Sequence, residues 1–439
     1  MHGRKVLLVN PWVYDFAAYD LWAKPLGLLY LGAMLRQNGC HVDLIDCLAF
    51  DQPAPKAYGQ GKFRREVVDK PAQLAHIPRH YARYGMSMKS FHDRIAQLEQ
   101  PDVVLVTSLM TYWYPGVFEA IRLIKAAFPH SPVVLGGVYA TLCPAHAAAN
   151  SGADYLITGE AEVKLMNLLS GLWGEEPVCP PVSDDLDALA YPCLDLEPSL
   201  RYGCILTSRG CPYRCTYCAA HMMSVGLRRR DPHNVADEIA FWQSRGVTDF
   251  AFYDDALLAQ SEAFAVPLFK EIVNRKLDVR FHCPNALHAR FIDPDVARWM
   301  RLAGFVTLRL GLETADAQRQ VSTGNKVTTA EFLQAVQNLR QAGFEQQDIG
   351  VYLLCGLPRQ EASEVLAAIR LVHASGARPI LAEYSPIPQS GLWEQAVEAS
   401  PYPLSEEPLF HNNTLLPCAW AGFTQAMYQE LKQACRDGC

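Results

Sequence analysis

The sequence has no hydrophobic run long enough to cross a lipid bilayer. Its longest apolar stretches, such as residues 27–35, have about half of the roughly 20 residues that a membrane-spanning helix needs. The apolar stretch nearest the start, residues 6–9, is also too short for the hydrophobic region of a signal peptide. We therefore predict no membrane span and expect the protein in the cytoplasm.

The sequence also lacks an excess of positive charge. Its 39 Lys and Arg residues are outnumbered by 46 Asp and Glu residues, so the formal net charge is −7. A chain of this kind has no broad basic field to attract nucleic acid. The short basic run at residues 228–230 is interpreted as a solvated or carboxylate-pairing segment. We expect a small-molecule substrate and no nucleic-acid partner.

No internal repeat or low-complexity segment occurs, and the 439 residues allow two to four domains. The first 170 residues alternate short apolar runs with helical patterns, which predicts a doubly wound, Rossmann-like parallel sheet. Its strands are predicted at residues 5–9, 41–45, 103–107, 133–136 and 155–158. Residues 51–86 fit no regular period and are interpreted as an insertion that is either a lid or a surface excursion.

A Pro- and Asp-rich stretch at residues 171–199 is typical of a linker. Beyond it, residues 200–385 return to the βα alternation and predict a partial (β/α)6 barrel of the TIM type, in which chemistry collects at the carboxyl ends of the strands. Its strands are predicted at residues 204–207, 249–252, 279–281, 306–310, 349–354 and 379–384. Residues 386–439 form a less regular C-terminal extension with a helix near 425–433.

Three cysteines stand directly after the first barrel strand. Cys211, Cys215 and Cys218 form a Cys-x3-Cys-x2-Cys pattern within the segment TSRGCPYRCTYCAA. Structural zinc prefers four ligands, and no second Cys or His pair lies nearby. Three thiolates instead suit a [4Fe-4S] cluster with one iron left open to a substrate or cofactor. The alternatives are a zinc site completed by a remote residue and three buried free thiols.

This cysteine pattern resembles the signature of the radical SAM superfamily, with aromatic Tyr217 before the last cysteine. The resemblance implies that the open iron binds S-adenosylmethionine (SAM), whose reductive cleavage yields a 5′-deoxyadenosyl radical. It also implies SAM-binding segments at the ends of the second, fourth and fifth barrel strands. The candidate residues for SAM are Tyr217, Tyr253, Asp254, Asp255, Glu313, Thr314, Gly356, Leu357 and Pro358.

The first domain is similar to the cobalamin-binding domain of the cobalamin-dependent radical SAM enzymes. The matching strand ends imply the cobalamin-binding candidates Asn10, Pro11, Ser108, Leu109, Thr111, Gly136, Gly137, Val138, Gly159 and Glu160. The Asp-x-His-x-x-Gly loop that supplies a histidine to cobalt in many cobalamin proteins has no counterpart after the first strand. Cobalamin is therefore expected without a His ligand, with residues 109–113 covering the lower face of its cobalt.

We expect an enzyme that methylates an unactivated carbon of a small molecule and draws electrons from a donor such as flavodoxin or ferredoxin. Radical cyclisation or rearrangement is one alternative, and a non-catalytic cobalamin or iron-sulfur carrier or sensor is another. A tRNA methylthiotransferase is disfavoured, because a second cluster-like cysteine arrangement is absent from the sequence. Cys355, near the end of the fifth barrel strand, is a candidate catalytic thiol. Cys435 and Cys439 are either part of a frayed tail or an accessory metal or redox site.

Overall fold

The computed structural model describes residues 1–49, 57–180 and 185–437. The chain divides into two compact units, Met1–Arg201 and Tyr202–Cys439. Each unit is built around its own parallel sheet, which confirms the predicted α/β class. Within the described ranges, no helix combines the length and the apolar character that crossing a membrane requires.

The first unit alternates strands with helices over most of its length. Its strands are β1 (Lys5–Asn10), β2 (Val13–Asp15), β3 (Tyr19–Asp20), β4 (His41–Asp46), β5 (Gly61–Lys62), β6 (Arg65–Val68), β7 (Tyr81–Tyr84), β8 (Val103–Val106), β9 (Val133–Leu135) and β10 (Tyr155–Leu156). Its helices are α1 (Leu26–Gln37), α2 (Met88–Ile95), α3 (Tyr114–Ala127), α4 (Val138–Leu142), α5 (Pro144–Asn150) and α6 (Glu162–Trp173).

The main sheet of this unit has five parallel strands in the order β10-β9-β8-β1-β4. The chain begins in the middle at β1, reaches the edge at β4 and then crosses to β8 on the other side of β1. In a doubly wound sheet, a ligand binds beyond the carboxyl ends of the strands at such a reversal point. Buried aliphatic side chains cover the strands, including Val9 on β1, Val106 on β8 and Ile124 on α3. The sheet therefore presents the loops after β1 and β8 at one edge.

The insertion is more regular than the sequence indicates. Strands β6 and β7 lie within residues 51–86 and form an antiparallel three-stranded sheet with β2, while β5 pairs with β3. Residues 51–56 lie outside the described part of the chain. The prediction of an irregular insertion is wrong for its second half. Its strands are only two to four residues long, which is too short for the alternation of apolar and polar residues to be recognised in the sequence.

The Pro- and Asp-rich stretch packs as part of the first unit where it is described. Cys193 donates its backbone N–H and its thiol to the Leu29 carbonyl of α1. The Lys24 ammonium forms a buried ion pair with Glu197 at 2.9 Å. The last residues before the second unit are thus attached to the sheet domain.

The second unit follows the predicted barrel pattern. Its strands are β11 (Gly203–Ile205), β12 (Ser208–Arg209), β13 (Arg228–Arg229), β14 (Asp249–Phe252), β15 (Arg280–His282), β16 (Phe305–Glu313), β17 (Ile349–Cys355) and β18 (Arg378–Glu383). Its helices are α7 (Ala220–Met223), α8 (Pro232–Gln243), α9 (Ala265–Asn274), α10 (Pro294–Ala303), α11 (Ala317–Ser322), α12 (Thr329–Gln341), α13 (Ala362–Ser375), α14 (Trp393–Ala399) and α15 (Gln425–Asp437).

Six of these strands form one parallel sheet in the order β11-β14-β15-β16-β17-β18. Helices α8, α9, α10, α12 and α13 connect successive strands, as a right-handed βα alternation requires. No βα helix follows β18 directly, and α15 packs against β18 and α13 instead. The C-terminal extension therefore supplies the helix that covers the last barrel strand.

Candidate functional site

The loop with the three cysteines is attached to the barrel through Asp254, at the end of β14. One carboxylate oxygen of Asp254 accepts a hydrogen bond from the Thr207 hydroxyl at 2.6 Å and another from the Ser208 hydroxyl. The other oxygen accepts from the Thr207 backbone N–H at 3.1 Å. Asp254 is buried, and both of its oxygens are used within the protein. Its side chain therefore positions the loop, and the predicted contact with SAM stays a prediction.

The same loop is held from two later parts of the chain. The Thr216 N–H donates to the Thr323 carbonyl, and the Thr216 carbonyl accepts from the Leu392 N–H at 2.8 Å. A Cβ on Gly324 would lie 3.0 Å from the Cys215 Cα, and one on Gly391 would lie 3.1 Å from the Thr216 Cβ. Both contacts are shorter than ordinary carbon contacts, so a glycine is needed at each position for this approach.

The three thiols are near enough to influence one another electrostatically. Cys215 is buried, whereas Cys211 and Cys218 are partly exposed. Burial raises the pKa of each thiol. The Ala220 N–H donates to the Cys218 sulfur at 3.4 Å. Across the described ranges, no three His, Cys, Asp or Glu side chains come close enough together to hold a single metal ion.

A buried ion pair lies beside the thiols. The Lys326 Nζ is 3.1 Å from Oε1 of Glu313, and both side chains are almost fully buried. Burial acts to lower the pKa of Lys326, but the negative charges of Glu313 and Cys215 outweigh it and raise that pKa. In return, Lys326 acts to lower the pKa of Cys215, against the effect of burial. Lys326 thus places a positive charge near the sulfur of Cys215.

Glu313 has an unusual backbone conformation. It ends β16 with φ of 67°, a left-handed value that costs a non-glycine residue about 1–3 kcal/mol. Gly311, two residues earlier, leaves the space that the ion pair occupies. A Cβ there would lie 2.5 Å from the Glu313 Oε1 and 2.6 Å from the Lys326 Nζ. The next residue, Thr314, is buried, and its N–H bonds to the Leu312 carbonyl.

Tyr217 and Asp255 also lie near the thiols. The Tyr217 hydroxyl is buried beside Cys215 and lacks a nitrogen or oxygen partner in the described part of the chain. Asp255 is exposed at the carboxyl end of β14, in range of Cys211 and Cys218. Desolvation by the surrounding protein, together with the charge of Asp254, raises the pKa of Asp255 to about 6. The backbone carbonyl of the neighbouring Tyr253 accepts a hydrogen bond from the side-chain amide of Asn285.

The turn after β17 is closed by a side chain that the sequence patterns do not single out. Gly356, with φ of 84°, and Leu357 both donate their backbone N–H groups to Oε1 of Gln360, at 2.9 and 3.2 Å. Pro358 is buried in the same turn. These N–H groups are therefore already bonded, so the turn can contact a ligand through its surface but not through these donors.

The structure does not place Cys355 inside the barrel. Side chains alternate along β17, and the Tyr352 hydroxyl reaches the Pro284 carbonyl on the inner face. Cys355, three residues on, is fully buried on the opposite face, and Glu383 on β18 is its paired residue. Burial raises the pKa of its thiol. The thiol thus faces away from the barrel interior, and a catalytic role for Cys355 stays a prediction. Cys435, on α15, is half-buried, and Cys439 lies outside the described residues.

In the first unit, the end of β1 carries a hydrogen-bonded acid. The Asn10 amide donates to Oδ1 of Asp46 at 2.7 Å, and both residues are buried. The Leu48 N–H donates to the same oxygen. Burial and the nearby carboxylate of Glu197 raise the pKa of Asp46 to about 7. The Asn10 side chain therefore serves this network, and Pro11 beside it is buried.

The loops after β8 and β9 are packed against each other. The Ser108 hydroxyl donates to the Gly136 carbonyl at 2.6 Å, and the Ser108 carbonyl accepts from the Val138 N–H. Gly137 has φ of 94°, and a Cβ on it would lie 2.3 Å from the Ser108 oxygen. A glycine is therefore required at this position. Ser108, Gly136, Gly137 and Val138 are thus brought together at one place, and their contact with a ligand stays a prediction.

The remaining candidates of the first unit lie on the same edge of the sheet. Leu109 and Glu160 are half-buried, and Thr111 is buried. Met110 lies between Leu109 and Thr111 in the loop after β8. Its side chain is 47% exposed and is the most accessible apolar side chain of that loop. The Gly159 N–H donates to the Thr141 hydroxyl at 2.8 Å. Helix α6 begins at Glu162, so Gly159 lies in the loop between β10 and α6 and is not the N-terminal residue of the helix.

Sequence reasoning missed Lys326, Gln360 and the Lys24–Glu197 pair. Lys326 and Gln360 follow a predicted site segment by 12 and two residues, but neither belongs to a motif. Both residues lie in the loops that follow β16 and β17, so a search of those loops for charged and amide side chains is the signal that could have found them. Lys24 and Glu197 are 173 residues apart, and no local pattern joins them.

Comparisons with known proteins match both units. The family model of the radical SAM superfamily matches residues 205–372, and that of the B12-binding domain matches residues 79–169. The first range includes the three cysteines, Glu313 and Lys326. The second includes the ends of β8, β9 and β10, but not Asn10 or Pro11.

Two curated relatives are methyltransferases by name. The chain is 23% identical to the uncharacterized methyltransferase PH0819 of Pyrococcus horikoshii, over 91% of this chain and 81% of that protein. It is 24% identical to cytidylyl-2-hydroxyethylphosphonate methyltransferase of Streptomyces wedmorensis, over 57% of this chain and 55% of that protein. The chain thus spans only about half of the second relative.

A solved structure shares the fold. The radical SAM methyltransferase TsrM of Kitasatospora setae, with tryptophan and a SAM analogue bound, superposes with a TM-score of 0.68 at 19% identity. The similarity covers 91% of this chain and 77% of TsrM. Together, the two family models show that this chain carries a B12-binding domain in its first unit and a radical SAM domain in its second.

Proposed function

We propose that this enzyme transfers a methyl group to an unactivated carbon of a small molecule. The observation that supports the proposal most is the arrangement of the second unit. Three thiols stand at the first barrel strand next to a buried Lys326–Glu313 ion pair, at the barrel end where ligands bind. The methyltransferase relatives also favour methyl transfer over other radical reactions.

Cys211, Cys215 and Cys218 hold the [4Fe-4S] cluster in this proposal. A four-iron cluster is larger than one ion, so its thiolates need not converge on a single point. The buried Tyr217 hydroxyl beside Cys215 can donate a hydrogen bond to a thiolate, and this donor has no other partner in the described part of the chain. When bound, the cluster and SAM supply the 5′-deoxyadenosyl radical, and cobalamin supplies the methyl group.

The residues around the thiols then bind and orient SAM. Lys326 supplies a cation for a carboxylate, and Glu313 and Thr314 supply polar atoms at the end of β16. Asp255 and Tyr253 border the same region at the end of β14. Residues 356–358 supply a surface at the end of β17, while Gln360 fixes their backbone. Asp254 acts as a positioning residue, because it secures the loop through Thr207 and Ser208.

In the first unit, the carboxyl edge of the sheet fits the flat face of a corrin. The closely packed glycine turn after β9 leaves no side chain projecting from Gly136 or Gly137. The exposed Met110 can cover the lower face of cobalt, in keeping with residues 109–113. We assign cobalamin binding without a His ligand to this edge, with Leu109, Thr111, Gly159 and Glu160 around it.

The proposal requires an electron from outside the chain. A low-potential donor such as flavodoxin or ferredoxin can supply it. The thirteen cysteines within the described residues are free thiols, which fits a reducing compartment such as the cytoplasm.

The test uses purified enzyme reconstituted with iron, sulfide and cobalamin. It is incubated with a reductant and SAM that carries a deuterated methyl group, and with an extract of cells from which the gene has been deleted. Mass spectrometry then measures 5′-deoxyadenosine and any product that gains the labelled methyl group. Replacing Cys211, Cys215 or Cys218 by Ala should abolish the cluster absorption and both products, whereas Cys418→Ala, a buried thiol near α14, should retain them.

The outcomes separate the alternatives. Formation of 5′-deoxyadenosine with a changed but unlabelled product would indicate cyclisation or rearrangement. An intact cluster that forms no 5′-deoxyadenosine would instead support a carrier or sensor. Retained SAM cleavage in a cysteine variant would overturn the ligand assignment.

A further inference from the structure

A guanidinium lies inside the barrel of the second unit, below the SAM-binding end. Side chains alternate along β16, and Leu308 and Leu310 are fully buried on its helix-facing side. Arg309 lies on the inner side, as does Gly311. The residue paired with Arg309 on β17 is Gly350. A Cβ on Gly350 would lie 2.8 Å from Nη1 of Arg309, so the absence of a side chain there makes room for the guanidinium.

Arg309 has no acidic partner among the described residues. Its Nη1 donates to the neighbouring Leu308 carbonyl at 2.8 Å, and the Tyr352 hydroxyl lies beside it. A second cation, Arg378, lies in the same row of the sheet, and its charge acts on Arg309. Burial lowers the pKa of Arg309, and Arg378 lowers it further. A mostly buried guanidinium in this position lacks the anion that usually accompanies one.

We propose that Arg309 and Tyr352 form a subsite for an acidic group of the substrate, a carboxylate or a phosphate-type group. The guanidinium presents paired donors that match both kinds of anion. This inference rests on the proposed methyl transfer, because it assigns the substrate of that reaction to an acidic class. Glu313 lies four positions after Arg309 on β16, or about 13 Å along the strand. The acidic group therefore lies roughly that far from the end of the barrel where SAM binds.

The test is chemical modification of arginine in the reconstituted holoenzyme. Phenylglyoxal is applied with and without inorganic phosphate in one arm and glutarate in another, and peptide mass spectrometry follows Arg309 and the exposed Arg370. One or both anions should slow the modification of Arg309 at least fivefold in a saturable manner, and should leave Arg370 unaffected. The anion that protects Arg309 from modification identifies the acidic group as phosphate-type or carboxylate. Equal modification of Arg309 in all three conditions would overturn the subsite.

A second measurement compares variants. The protecting anion should raise the Tm of the wild type and of Arg370→Met, but not that of Arg309→Met, and Arg309→Lys should keep part of the shift. An equal shift in Arg309→Met would overturn the proposal, and if that variant does not fold, the modification result decides alone. Neither measurement requires SAM cleavage. An enzyme that binds the anion but forms no 5′-deoxyadenosine would contradict the proposed function and leave the subsite standing.

Discussion

The Lys326 ammonium lies 3.1 Å from the Glu313 carboxylate at a strained strand end, and its positive charge acts on Cys215 of the cysteine loop. Glu313 holds a left-handed backbone conformation in which few non-glycine residues are found. The ion pair offsets part of that cost, since a buried carboxylate without a cation would be strongly destabilising.

Removing the cation should make the cluster harder to reduce. A unit positive charge about 8 Å away contributes ~2 kcal/mol at an effective dielectric of 20, or ~90 mV for one electron, in favour of the reduced and more negative state. Lys326→Met should therefore lower the reduction potential by tens of millivolts and slow SAM cleavage. Lys326→Arg should keep the potential near that of the wild type. A redox titration followed by electron paramagnetic resonance measures the shift, and equal potentials in both variants would contradict the prediction.

Gly311→Ala should separate the ion pair. The added methyl group would lie 2.5 Å from the Glu313 Oε1 and 2.6 Å from the Lys326 Nζ, so one of them must move. We expect a loss of ~1–3 kcal/mol in unfolding free energy, as for overpacked cores, together with weaker SAM binding by calorimetry.

Gly171→Ala is the matched control. Gly171 lies within α6, and a Cβ there meets nothing within 4 Å. Because alanine favours helix, this variant should be more stable by roughly 0.5–1 kcal/mol. If both alanine variants behaved alike, the close approach at Gly311 would not be the cause.

The first unit should lose stability as pH rises. Burial and Glu197 raise the pKa of Asp46 to about 7, whereas an unfolded Asp titrates near 4. Between these values the folded state holds a proton that the unfolded state has released, so unfolding free energy falls as pH increases. Asp46→Asn should remove this slope and raise stability at pH 8 by ~1–4 kcal/mol.

Hydrogen exchange at β4 peptides, measured from pH 5 to pH 8, follows the stability of this unit. Asp43→Asn, an exposed position on the same strand, serves as the control and should leave the wild-type slope in place. A wild type whose protection is constant over this range would show that Asp46 is ionised throughout.

Cys355→Ala should affect stability but not chemistry. The thiol packs on the helix-facing side of β17, so its removal leaves a small cavity and costs about 1 kcal/mol. At a temperature where the variant is folded, 5′-deoxyadenosine formation should stay within twofold of the wild type. Loss of SAM cleavage without loss of folding would instead support a catalytic role for Cys355.

The sequence patterns predicted the two parallel sheets well because buried strands and their connecting helices have strong local periods. Strands β1, β14 and β17 lie within one residue of their predicted bounds. The short strands β6 and β7 were not predicted, since β7 depends on pairing with β2, more than 50 residues earlier, and β6 pairs with β7. Pairing partners at that separation leave no trace in a local pattern.

The candidate site shows the same division. The cysteine pattern depends on spacing within eight residues and can be read directly. Which face of β17 holds Cys355 depends on the exact register of the strand, because a shift of one residue moves a side chain to the other side. The roles of Asp254 and Asn10 depend on partners 36 to 47 residues away. Such hydrogen bonds become visible only in three dimensions.

The attachment of the cysteine loop has a consequence for biosynthesis. Thr216 is bonded to Thr323 and to Leu392, which leave the ribosome more than 100 and 170 residues later. A nascent chain that has exposed only its three cysteines thus cannot yet hold them in their final geometry. We expect iron-sulfur assembly factors to act on this protein after synthesis has passed residue 392, and the free thiols to need protection from oxidation until then.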